Sequence, residues 1–234
     1  MAGILVAFIW TLFPYPISES TELRKDLGAS MYLMGLYYHL GHETIKSAIK
    51  DTSGDVKVKG THANHLEAAR RTVFSKLVFL LNDLSTNSAF SKFQIPIGGR
   101  FPREEYESLI ACLKRLLLWI TLVNYTSSTF EPSSDEGPGQ SQWSQDFRKL
   151  IASVNVSSHR ITTLLSVLSS SMRNAAPLPP HLELPEPFSF AKRLQSLDAD
   201  ILSVRHMAEP EYSAFAVMQV VSKNIIVDIE ELAK

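Results

Sequence analysis

The side chains best spaced for chemistry are His39, His42 and Glu43, followed some twenty positions later by His62, His65 and Glu67. Two imidazoles at i and i+3 share a helix face. A metal needs at least one more fixed ligand, and the second group supplies it only if the next helix packs alongside in register. Such spacing recurs by chance, so these histidines are read as bundle-edge or surface residues beside Tyr37, Tyr38 and Leu40. Gly98-Gly99-Arg100 lacks the preceding strand, the helix start and the Lys-Ser/Thr of a phosphate loop, and reads as a turn. The single cysteine, Cys112, permits neither an intrachain disulfide nor a cysteine-based zinc cluster. With no neighbour in sequence to stabilise a thiolate, it reads as a small buried hydrophobe. Asn124-Tyr-Thr126 and Asn155-Val-Ser157 match the glycosylation acceptor pattern, which matters only in a secretory lumen. Arg70-Arg71 and Lys114-Arg115 read as solvated helix faces. No catalytic, cofactor-binding or metal-ligating residue is assigned, and the expectation is a protein that is not an enzyme.

The elements that carry these residues follow from apolar periodicity. Leu23, Leu27, Met31, Met34, Tyr38, Ile45 and Ile49 recur mostly at spacings of three, four and seven, which predicts one helix to about residue 50. Gly28, Gly35 and Gly41 fall inside it. Each glycine costs about 1 kcal/mol against alanine in a helix interior, so three of them point to close helix contact or bending. A second helix is expected over 62–86 on Leu66, Ala69, Val73, Leu77, Leu80, Leu81 and Leu84, and a third from Arg103 through Leu109, Leu113, Leu116, Leu117, Ile120 and Val123. Between them, 87–102 contains two prolines and a diglycine and reads as a connector. The Ser-, Pro-, Gly- and acid-rich stretch near 127–142 is expected to be a mobile loop. A fourth helix is expected over Trp143–Arg173. Five prolines in Ala175–Pro187 make that stretch a stiff extended strap, and two more helices are expected over 188–207 and 210–232, with Pro210 in a first turn. The fold class is therefore all-α, a bundle of about five or six helices.

The N-terminus differs from all of this. Ala2 to Pro16 carries no charge. A helix over 2–13 would reach only about 18 Å, against a bilayer core of about 30 Å. No basic residue or small-residue cleavage site marks a signal peptide. Residues 1–16 therefore read as the stub of a transmembrane helix, with Trp10, Phe13 and Tyr15 nearing the interface; the alternative is a buried core helix. Residues 17–234 are then one helical domain. The formal net charge of −1 and a pI near 6.7 argue against a protein held on nucleic acid by bulk charge. Mean hydropathy of +0.01 is high for a freely dissolved chain.

The run from Gly3 to Tyr38, with Leu12-Phe-Pro-Tyr-Pro16 and Leu23-Arg-Lys-Asp-Leu-Gly28, together with Gly98-Gly-Arg-Phe-Pro102 and Tyr106, resembles fungal membrane proteins of the brefeldin A sensitivity and aromatic acid exporter group. In that group a last transmembrane helix leads through a Phe-Pro-rich exit into a cytosolic domain of unknown function. The resemblance implies that the multi-helix transport region lies upstream and that the gene is shortened or a fragment. It implies a role in assembly, regulation or partner binding, with no transport by this fragment alone. The alternative is a freestanding helical scaffold. The expected partners are a membrane, through the N-terminal helix, and the missing transmembrane region or a second copy of the chain. The bulk of the chain is expected to face the cytosol.

Overall fold

The computed structural model describes residue 3 and residues 19–49, 60–90, 102–126, 142–153, 159–180 and 182–233. All of the expected membrane stub over 1–16 except residue 3, the 127–141 part of the loop and most of the 87–102 connector lie outside the described residues.

Among the described residues there are seven α-helices and no strand: α1 (Glu19–Ile49), α2 (His62–Phe90), α3 (Arg103–Thr126), α4 (Gln142–Ser153), α5 (His159–Asn174), α6 (Ser189–Leu197) and α7 (Pro210–Ala233), with one 3-10 turn at Val204–His206. The class is as expected. The helix expected over Trp143–Arg173 is described as α4 and α5, with 154–158 between them outside the described residues; α5 lies along α1, and α4 touches α1 and α6 and ties to α7. The helix expected over 188–207 stops at Leu197. Asp198 takes an extended conformation there, and its carboxylate accepts the Asp200 N–H at 2.9 Å, a local turn that competes with helix. At the other junction the second helix runs four residues beyond 86, to Phe90.

α1 is the axis. It lies antiparallel to α2, where the Tyr37 and Phe74 rings sit 5.8 Å apart, and antiparallel to α5, where Ser169 Oγ donates to the Gly28 carbonyl at 2.6 Å. α3 runs parallel to α1, with Tyr106 near Arg24 at one end and Asn124 against Gly41 at the other. α7 packs mainly on α3, and its Leu232 reaches back to Arg24 and Met31. Leu23, Leu27, Met31, Met34, Tyr38 and Ile45 are all buried, as the periodicity of the first helix requires. They join Leu77, Leu81, Leu84, Leu113, Leu116, Ile120, Leu165 and Ile229 in one hydrophobic cluster fed by every helix. Each fully buried leucine there contributes about 1.5–3 kcal/mol.

The helical glycines are contact points. A Cβ at Gly28 would collide with Arg173 Cγ and lie 2.9 Å from the Ser169 carbonyl oxygen, and one at Gly41 would collide with the Asn124 amide. α5 ends in a left-handed turn at Ala175 (φ 50), with the Ala176 N–H bonded to the Ser171 carbonyl at 3.0 Å. The chain then leaves as the proline-rich strap, without helix or strand in its described residues, held down by Leu178, Leu182 and Leu184 against the core. By length and apolarity α3 alone among the described helices is able to cross a membrane. Here its Leu113, Leu116 and Ile120 are buried, while Leu118 and Tyr125 stay exposed.

Candidate functional site: polar pairs between helices

The histidines singled out in the sequence do not converge. His39 stacks on His159 of α5, centroids 6.3 Å apart, and His42 lies edge-on to Tyr38 at 5.3 Å. Neither joins His62, His65 or Glu67 in a cluster of three close ligand atoms among the described residues. Glu67 instead pairs with Arg70 and Arg71 on its own helix. Desolvation is the main reason that His42 has a pKa lowered to about 4; His39 and Lys46 push the same way against Glu43.

That shift sets a pH dependence. An unfolded histidine takes a proton near pH 6.5, while folded His42 refuses it until about pH 4. Its contribution is thus fully present above pH 6.5 and is lost as the pH falls towards 4, at most about 3 kcal/mol. Denaturant midpoints measured from pH 7.5 to 4.5 are expected to fall in the native chain and to fall less in His42→Phe. Parallel pH profiles for the two chains would rule out His42 as the cause.

The charged groups that do meet lie between helices far apart in sequence. On α3, Arg115 Nε donates to Asp228 Oδ1 of α7 at 2.8 Å, and Arg115 Nη2 donates to Glu231 Oε2 at 2.6 Å. The buried Cys112 thiol donates to the Asp228 backbone carbonyl at 3.3 Å. Burial, then Asp228 and Glu231, push this thiol up to about 12, so it stays protonated and unreactive. Hydrogen bonding to Asp228 raises the Arg115 pKa further, fixing its charge. Ligand atoms of Cys112, Asp228 and Glu231 lie within 4.8 Å of one another, the spacing of a cation site. Arg115 Nη2 reaches all three, at 2.8 Å from Asp228 Oδ1, 2.6 Å from Glu231 Oε2 and 3.7 Å from Cys112 Sγ. The slot already holds the protein's own cation, and a metal would have to displace it. Arg115 is thus a clamp between α3 and α7, a correction to its reading as part of a solvated face.

A second clamp joins α4 to the start of α7. Arg148 Nε donates to Glu211 Oε1 at 2.8 Å, and both side chains are largely buried. Beside it Trp143 lies stacked between Phe147 (4.7 Å) and His206 (5.2 Å), its indole N–H donating to the Ile201 carbonyl. Sequence reasoning missed both clamps. The signal for one was present: Asp228 interrupts the apolar run Ile225-Ile-Val-Asp-Ile229, and a carboxylate in a buried stripe needs a cation opposite.

Of the remaining candidates, Gly98-Gly99-Arg100 and Asn155 lie outside the described residues, and Asn124 is buried at the α1–α3 contact. A shallow cavity of about 220 Å³ opens where α1, α5 and α7 meet, lined by Arg24, Met31, Leu168, Met172, Leu178 and Leu232.

A comparison with protein families matches residues 20–233 to the Brefeldin A-sensitivity protein 4-like domain. No curated protein and no solved structure matches the chain.

Proposed function

The chain belongs to the family of Brefeldin A-sensitivity protein 4-like domains, and on that premise we propose that it is the cytosolic helical domain of a fungal membrane transporter of the aromatic acid exporter type. It works by assembly, regulation or partner binding, and not by catalysis or transport of its own. The observation that carries the reading is the use made of its buried charge. The buried carboxylates, Asp228 met by the exposed Arg115 and Glu211 met by the largely buried Arg148, are engaged in holding helices to one another. Two further features support it: the uncharged run Ala2–Phe13, which precedes the bundle's axial helix in sequence, and large apolar side chains left outside, Phe79, Leu118 and Tyr125 among them.

Fractionation of the tagged native chain tests the membrane part. The expected result is recovery in the membrane pellet, released by detergent and not by alkaline carbonate, with improved solubility on deletion of residues 1–16. Recovery wholly in the detergent-free supernatant, with loss of folding on that deletion, would transfer the assignment to a freestanding scaffold that buries its own N-terminus.

A further inference from the structure

Among the described residues, the proline-rich strap is an exposed feature whose sequence and placement point to a partner class. Pro177, Pro179 and Pro180 have φ fixed near −65°, and Ala176, Leu178 and Pro179 each precede a proline, which holds them out of the helical region. Ala176, Leu178 and Pro179 are thereby held extended, and Pro177 between them has its φ fixed, which favours a polyproline-like path of three residues per turn. Ala176, Pro177, Pro179 and Pro180 are exposed, whereas Leu178 turns in and packs on the core. Two X-Pro dipeptides, Ala176-Pro177 and Pro179-Pro180, therefore face outward, and the residue between them is the anchor.

That is the arrangement read by proteins that bind proline-rich segments in a groove of aromatic-walled slots, each slot taking one X-Pro step while the third edge of the helix goes unread. We propose that Ala176–Pro180 is a docking segment for a proline-reading protein module of this kind. The left-handed turn at Ala175 and the inward Leu178, Leu182 and Leu184 hold the segment in place before the partner arrives, so less ordering entropy opposes binding than for a free peptide. Charge sets the direction of docking. Arg173 stands exposed before the segment and Glu183 stands exposed after it, while Glu186 is paired with Lys192, so the fitting groove carries a basic residue on the side that meets Glu183 at the strap's C-terminal end. This gives a partner class to the interaction role proposed above and rests on that reading only in taking the partner to be a protein.

The test is titration of purified, isotope-labelled SH3, WW and EVH1 domains with the intact chain. The expected result is saturable shifts at groove aromatics of at least one module. Pro177→Ala combined with Pro180→Ala, both at exposed positions, is expected to weaken binding by about tenfold or more with an unchanged thermal unfolding curve. A synthetic peptide of residues 174–186 should displace the chain from the same groove, which holds the test independent of how the variant folds. No shift in any module, binding that the double substitution leaves intact, or binding by the peptide but not by the folded chain would each overturn the proposal. None of these outcomes depends on where the chain fractionates.

Discussion

Arg148→Ala is expected to destabilise the fold by about 3–5 kcal/mol, because it strands the Glu211 carboxylate in a buried position without its cation. At this chain length that lowers the thermal midpoint by roughly 6–20 °C. The pair itself is a poor net contributor, since desolvating two charges offsets most of their attraction. The double variant Arg148→Met with Glu211→Leu should therefore recover much of the loss. Glu211 lies in the first turn of α7, where backbone N–H groups also favour a negative charge, so recovery stays incomplete. Calorimetry of the two single variants and the double variant gives the coupling directly. A double variant no more stable than Arg148→Ala would show that packing around the pair, and not its charge, sets the cost.

Gly28→Leu is expected to cost about 3 kcal/mol by overpacking the α1–α5 contact. The first added carbon already meets the Ser169 carbonyl at 2.9 Å, and a helix backbone cannot yield as a side-chain tip can. Gly35→Ala is the control on the same helix. There an added Cβ would lie 3.4 Å from Leu165 Cβ, ordinary contact, so the gain in helix propensity of up to about 1 kcal/mol should appear as stabilisation. The two midpoints in denaturant are expected to move in opposite directions. Equal shifts of one sign would mean that the glycines are there for bending.

The long helices were legible because each has one apolar stripe and a clean start. α1 begins among Ser and Glu, α3 opens with Glu104 and Glu105 after Pro102, and α7 opens at Pro210. The three glycines of α1 also gave away close packing, although nothing in the sequence named Ser169 or Asn124 as what they admit. The end of α6 at Leu197 was hidden: Asp198 stops it by taking the Asp200 N–H, and no proline or glycine within 188–207 marks a break. The polar clamps were hidden for a different reason. Arg148 and Glu211 are 63 positions apart, and Arg115 and Asp228 are 113 apart; pairing at that range is decided by topology, which no local pattern reports. The histidine face drew notice by its spacing alone, and the register of α2 against α1 gave it no third ligand.

The separation of Gly28 from Ser169, 141 positions, has a consequence for how the chain is made. A ribosome adds about 5–20 residues per second, so roughly 7–28 s pass between the emergence of one and the other. Within that interval, once α2 has emerged, the axial helix is complete and its α2 face can be covered, while its glycine face waits bare for a partner not yet synthesised. The last helix to settle on α3, α7, comes later still. Nascent chains stalled before residue 159 are expected to carry this glycine face uncovered and to bind holding chaperones longer than chains extended past residue 174.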